Sequence, residues 1–237
     1  MSEQSKIVGV LGGMGPDATV DFMAKVIALT PADKDQDHIH MIVDQNPKVP
    51  NRQDAILTGG EDPGPVMAEM AQRLEAAGAD FLVVPCNSAF GFASVVAGAV
   101  SIPLVSIVEV TVEACDDYST VGLLATDGCL QSHVYQDALA TTGITAELPG
   151  KDELADLMAL LNGIKAGYRG ERVARGMAAL AAALVGRGAE AIIAGCTEIP
   201  LVLDENALDV PLISSTDVLA ARTVAIARGE APLPEQD

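Results

Sequence analysis

Three features of this 237-residue sequence predict an α/β fold made of two similar lobes, related by a pseudo-twofold, with mainly parallel sheets and a cleft between them. Short β-branched runs that end at glycine alternate with stretches whose apolar residues recur at helical spacing, the signature of parallel strands covered on both faces. The same order of elements occurs twice. Hydrophobic residues make up 49% of the chain and charged residues 20%, which excludes extensive disorder. Aromatic residues are only 3% and Trp is absent, so Ala, Val, Leu, Ile and Met must build the core.

The first apolar run, Ile7-Val8-Gly9-Val10-Leu11, is short and stopped by Gly12-Gly13, as a buried strand would be. Pro16 and Asp17 open a helix through about Leu29, with Phe22, Val26 and Ile27 expected on one face. A second strand is predicted at Ile39–Val43, followed by a loop that carries Arg52. Between Pro65 and Ala77, Met67, Met70, Ala71 and Leu74 fall at i, i+3, i+4 and i+7, one helix face. Gly78 ends that helix, and Phe81-Leu82-Val83-Val84 is the next buried strand.

The grammar then repeats. Val121-Gly122-Leu123-Leu124-Ala125 echoes Val8-Gly9-Val10-Leu11-Gly12. Helices follow at about Asp152–Ile164 and Glu171–Val185, and Ala191-Ile192-Ile193-Ala194 is the last strong strand of this half. Gly78-Ala79-Asp80 matches Gly188-Ala189-Glu190, Cys86 matches Cys196, and Met67, Met70 and Leu74 match Met177, Leu180 and Leu184, each pair 110 residues apart. A helix face, its glycine stop, an acidic residue, a strand and a terminal cysteine recurring in register point to an internal duplication. Ser214-Ser215-Thr216-Asp217 reads as a helix cap ahead of Val218–Ala227. The expected division is therefore 1–102 for the first lobe, completed by a returning C-terminal helix at 214–237, and 103–213 for the second. The Pro- and acid-rich tail from Gly229 is expected to fray.

The net charge of −19 argues against nucleic acid and against anionic membrane surfaces, which both require basic patches. No apolar run approaches a membrane span, and MSEQSKIVGV lacks a signal-like pattern. The four cysteines lie far apart, without a CxxC or a cluster with His38, His40 or His133, so no metal site and no disulfide framework is expected. A cytoplasmic, reducing location is therefore the expectation.

Cys86 and Cys196 each fall at the carboxyl end of a predicted parallel strand, just before a helix is expected. Open α/β sheets place ligands there, and a helix N-terminus lowers a thiol's pKa from its free value of roughly 8.5. If the lobes face each other, both thiols reach one cleft. A thiolate can then take a proton from one face of a carbon acid while the opposite thiol protonates the other, which inverts the centre. Each sulfur would lie roughly 3–3.5 Å from the reacting carbon, and the two sulfurs roughly 6–7 Å apart. Cys115 and Cys129, which match nothing, read as buried core residues. Gly12-Gly13-Met14-Gly15-Pro16 reads equally well as a tight turn or as a backbone cradle for a carboxylate. It is not a dinucleotide or P-loop motif. Arg52, the only cation in Val49-Pro50-Asn51-Arg52, could clamp a carboxylate, but composition alone makes it a surface charge. Lys165, likewise, would simply compensate a helix C-terminus.

Gly12-Gly13-Met14-Gly15-Pro16, Pro85-Cys86-Asn87-Ser88-Ala89 and Gly195-Cys196-Thr197-Glu198-Ile199-Pro200 resemble the three signature segments of the aspartate/glutamate racemase family. Pro50-Asn51-Arg52 and Ile164-Lys165-Ala166-Gly167 resemble its substrate-binding loop and lysine segment. The resemblance spans essentially the whole chain. It implies an amino-acid racemase that uses neither metal nor pyridoxal phosphate, and a homodimer. Cys86 and Cys196 would be the acid–base pair, with Met14, Arg52, Asn87, Ser88, Ala89, Lys165 and Thr197 around the amino-acid substrate. Arg52 and Lys165 would bind its carboxylates. Phe90 departs from the family pattern, which often carries His at that position, and this bears on the choice of side chain, aspartate being the first expectation and glutamate the second. A decarboxylase or cis–trans isomerase of the same superfamily and a non-catalytic amino-acid-binding protein are the alternatives. A redox protein cycling Cys86–Cys196 is disfavoured by the separation expected across a cleft.

Overall fold

The computed structural model describes residues 5–235. Residues 1–4, part of the segment without a signal-like pattern, and the last two residues of the expected tail lie outside the described residues. The chain forms two compact units, one running to Ile107 and taking back the chain from Thr216, the other holding Val108–Ser215.

In the first unit β1 (Val8–Gly12) is followed by α1 (Pro16–Leu29), β2 (Met41–Gln45), α2 (Arg52–Thr58), α3 (Gly64–Ala76), β3 (Phe81–Val83), α4 (Ala93–Ala97) and β4 (Leu104–Val105). The strands pair in the order β2-β1-β3-β4, all parallel. α5 (Ile107–Glu113) starts at the boundary. The second unit continues with β5 (Thr120–Leu124), α6 (Asp127–Gln131), α7 (Val134–Thr142), β6 (Thr145–Glu147), α8 (Lys151–Lys165), α9 (Glu171–Gly186), β7 (Ala191–Ala194) and β8 (Leu212–Ser214), before α10 (Ser215–Ala227). Its order, β6-β5-β7-β8, is that of the first sheet, again parallel throughout. Among the described residues no helix is long and apolar enough to cross a membrane.

The repeat extends to single atoms. A Cβ built on Gly9 would lie 2.7 Å from Leu82 Cδ2 and 3.2 Å from Leu74 Cβ. On Gly122 it would lie 2.6 Å from Ile192 Cδ1 and 2.9 Å from Leu184 Cβ. In both units a helix, α3 or α9, is thus pressed against a glycine within a central strand. Gly78 (φ +98°) and Gly188 (φ +105°) end those helices in a left-handed turn that suits glycine. The next residue then donates its N–H to Leu74 O at 3.1 Å or Leu184 O at 3.2 Å. Asp80 accepts the Ile7 N–H at 2.6 Å. Glu190, its counterpart, accepts those of Ser119 and Thr120 at 2.6 and 3.0 Å. Each acid pins the start of a central strand to the strand beside it.

Several boundaries differ from the sequence reading. β2 begins at Met41 rather than Ile39, because its ladder runs from Val8↔Met41 to Gly12↔Gln45. Ile27 is 49% exposed; the buried face of α1 is Ala18, Thr19, Phe22 and Val26, and Ile27 lies about 100° round the helix from Val26. Arg52 opens α2 instead of sitting in a loop. The signals were there: Asn51 caps the helix by accepting the Gln53 N–H at 2.9 Å, and Gly59 closes it in the left-handed region. A short strand, β8, follows Ala191–Ala194 in the same sheet, and its final residue, Ser214, stands directly before α10. The tail is tied down at its start, where Glu230 and Ala231 donate their N–H groups to Ala225 O at 2.8 and 3.1 Å.

The repeated frame can be probed at two points. Gly122→Ala should destabilise the protein by about 1–3 kcal/mol in urea unfolding, because its methyl group meets Ile192 and Leu184. Hydrogen bonds from Thr120 and then Ser119 lower the Glu190 carboxyl pKa. Stability from this group is therefore full above the unfolded carboxylate pKa and is lost as pH falls through the lower folded value. Glu190→Gln should flatten the acid limb of a stability-against-pH curve.

Candidate active site

In a sheet ordered 2-1-3-4 the strand order reverses between the first and third strands, and ligands lie at the carboxyl ends that flank this point. In the first unit those ends lead into Met14 after β1 and Cys86 after β3. Met14, Val49, Cys86 and Ala89 belong to one packed cluster, which draws the loops after β1, β2 and β3 together. Cys86 is 5% exposed and Asn87 is buried. Cys86 Sγ lies 3.6 Å from Ser88 Oγ, either able to donate. Arg52 reaches back over this corner. Its Nη1 donates to Val49 O at 3.2 Å and Pro50 O at 2.9 Å, and its Nη2 makes a long contact of 3.5 Å to Met14 O.

In the glycine turn, which the sequence reads equally well as a tight turn or a ligand cradle, Gly12 and Gly13 are packed closely against the chain. A Cβ on Gly12 would meet Thr19 Cγ2 at 2.5 Å, and one on Gly13 (φ +92°) would meet the Asn46 backbone at 2.4 Å. The Gly13 N–H already donates to Thr19 Oγ1 at 2.9 Å. The close approaches these glycines permit are thus to the protein itself.

In the second unit the matching switch point, between β5 and β7, carries Cys196. Gly195 keeps the strand ends close, since a Cβ there would lie 2.9 Å from Leu123 Cδ1. The Cys196 thiol, 6% exposed, donates to Glu198 Oε2 at 2.9 Å, and the Thr197 hydroxyl contacts the same oxygen at 3.5 Å. Glu198 is itself buried. Lys165 ends α8, and its charge acts on Cys196.

Burial, then the negative charge of Glu198, pushes the Cys196 thiol well above the ordinary range; Lys165 opposes the rise. This reverses the expectation of a thiol acidified by a helix N-terminus. The chain beyond Cys196 forms a single 3₁₀ turn, Ile199–Leu201, too short for a useful dipole, and a carboxylate stands at the sulfur instead. The sequence marks Glu198 only as a polar neighbour of Cys196 able to orient a substrate; its hydrogen bond to the thiol is what that reading lacked. Its signal was the repeat itself: two residues past each thiol, Glu198 stands where Ser88 stands, 110 residues earlier.

Cys115 and Cys129 are buried. Cys115 Sγ donates to Thr111 O at 3.2 Å, and burial pushes its pKa up to about 12, with Asp116 adding to the rise. Among the described residues no group of three His, Cys, Asp or Glu side chains could hold a metal ion.

Two parallel sheets of the same order, each with a thiol at its switch point, define a class of duplicated α/β proteins, and comparison with known proteins identifies the family. Residues 11–223 match the family model for Asp/Glu/Hydantoin racemase. The broad specificity amino-acid racemase RacX of Bacillus subtilis (strain 168) is 31% identical over 227 residues, 92% of this chain and 97% of RacX. The structure of Picrophilus torridus aspartate racemase superposes with a TM-score of 0.82 at 26% identity, covering 97% of this chain and 96% of that one. An aspartate racemase homologue from Pyrococcus horikoshii OT3 shares the fold, with a TM-score of 0.75 at 22% identity over 94% of this chain and 99% of that one. The chain belongs to the Asp/Glu/Hydantoin racemase family, and racemases are isomerases.

The thiol chemistry can be tested directly. Removing the Glu198 charge should favour the Cys196 thiolate, so Glu198→Gln should move its titration to lower pH. The measurement is thiolate absorbance near 240 nm, taken as the difference from the matching Cys196→Ala protein.

Proposed function

We propose that the protein racemises an amino acid, aspartate first and glutamate second, with Cys86 and Cys196 as its two acid–base groups and no cofactor. The observation that carries this reading is the recurrence of a buried thiol, with a polar partner two residues on, at the switch point of both sheets. In one direction the Cys86 thiolate takes the Cα proton and the Cys196 thiol gives its own proton to Cα. Cys196 suits the donor role because burial and Glu198 keep it protonated. The thiolate left on Cys196 is stabilised by Lys165 and reprotonated through Glu198. In the other direction Glu198 accepts the thiol proton, and Cys196 becomes the base.

Withdrawing the Cα proton develops negative charge beside the substrate carboxylate, which cations and N–H donors stabilise best when already in place. Arg52 and Lys165 supply the cations. Met14, Asn87, Ser88, Ala89 and Thr197 complete the substrate contacts. We further propose a homodimer in the cytoplasm, where a reducing medium suits four free thiols.

Single enantiomers in D₂O, followed by Cα deuterium and optical rotation, test the reaction. Exchange with inversion is the expected result. Release of carbon dioxide would point to a decarboxylase, and binding without exchange to a non-catalytic amino-acid-binding protein. Cys86→Ala and Cys196→Ala should each lower racemisation by about 10²–10⁴-fold. Near-normal turnover in either one would overturn the two-thiol assignment.

A further inference from the structure

At the start of α2, polar atoms are buried with no partner among the described residues: both Oε1 and Nε2 of Gln53, and Nε of Arg52 beside it. Unpaired buried donors and acceptors are uncommon because each sacrifices its hydration for nothing. A glutamine on a surface helix ordinarily turns its amide to water. Here it does not, although α2 contains no fully buried residue. Other polar groups beside it are engaged. The Gln53 N–H is bound by Asn51, and Arg52 Nη1 is held by two backbone carbonyls. α2 packs on the 3₁₀ turn Ser88–Phe92, which begins two residues after Cys86. Phe90 in that turn is apolar and packed on the core, so it offers no side-chain hydrogen bond.

We propose that Gln53 reads the far end of the substrate side chain, an inference that rests on the racemase reading above. A carboxamide is neutral and both donates and accepts. Its Nε2–H can donate to a side-chain carboxylate, and its Oε1 can accept from a side-chain amide. The substrate class is therefore α-amino acids with a carboxylate or carboxamide close beyond Cα, acid and amide alike, rather than apolar or cationic ones. Entry requires α2 to shift on the Ser88–Phe92 turn, because solvent does not reach the amide. With no fully buried side chain in α2, little packing resists that shift.

The experiment measures calorimetric binding of aspartate and of asparagine to Cys86→Ala protein that carries Gln53, Gln53→Leu or Gln53→Glu. Cα exchange in D₂O is followed in the same series with Cys86 intact, and circular dichroism checks the fold. Leucine keeps the size but no hydrogen bond, and should weaken both ligands by about tenfold. Glutamate should weaken aspartate at least as much, through like charge, and asparagine less. Unaltered binding of both ligands in Gln53→Leu overturns the proposal, as does failure of the Gln53 protein to bind either. Should Gln53→Leu not fold, the aspartate-to-asparagine ratio in Gln53→Glu decides alone. Binding that responds to Gln53 while the Cys86-containing protein shows no exchange would sink the racemase reading and leave this one standing.

Discussion

At Gly9 and Gly122 a helix lies so close to the middle of a parallel sheet that a methyl group would not fit between them. Much else depends on that contact. A helix docked at this depth must stop where its chain can turn sharply into the neighbouring strand, and Gly78 and Gly188 supply the left-handed turn. The acid after each turn, Asp80 or Glu190, then binds the start of the central strand. Register is thereby fixed from the amino end. Since a slip of one residue would turn every side chain to the opposite face, the carboxyl end of the strand, and the thiol beyond it, can occupy only one position.

On this shared frame the two thiols meet different partners. Two residues beyond Cys86 is a neutral hydroxyl, and two beyond Cys196 a buried carboxylate. Strict duplication would leave two equivalent sulfurs, whereas the two-thiol racemisation we propose needs one charged and one protonated at any moment. Glu198 and Lys165, acting in opposite senses on Cys196, break the equivalence at one end. They do so without touching the packing that the repeat shares, because both lie outside its strands.

The sequence revealed elements wherever periodicity was long and buried. α3 and α9 were legible from Met67–Met70–Leu74 and Met177–Leu180–Leu184, and the thiols from their register. Of the short elements, β3 was legible because its apolar run continues to Val84, but β4 and β8 were not. β4 has two residues and β8 three, too few to alternate or to form a recognisable run. α2 shows no buried face, so apolar spacing could not reveal it, although its caps could have. The partnership of Cys196 with Glu198 was hidden for another reason. A glutamate two residues past a cysteine reads as a polar neighbour able to face a ligand, and only its burial in the fold turns it onto the thiol.

Gly12, Gly13 and Arg52 show how the surroundings of a residue bear on whether it suits a binding role or a structural one. Absence of a Cβ serves a ligand or a neighbouring chain equally, so Gly12 and Gly13 could be assigned only once Thr19 and Asn46 were found in that space. With Arg52 the logic runs the other way. A surface arginine in a chain of net charge −19 has carboxylates to pair with, and Arg73 and Arg187 take them. Arg52 is held instead by the carbonyls of Val49 and Pro50, with Met14 O at longer range. Neutral acceptors fix its direction without cancelling its charge. A guanidinium oriented in advance gives up less freedom when an anion arrives. Its charge is also still available to oppose, at short range, the repulsion that the acidic chain exerts on any carboxylate approaching it.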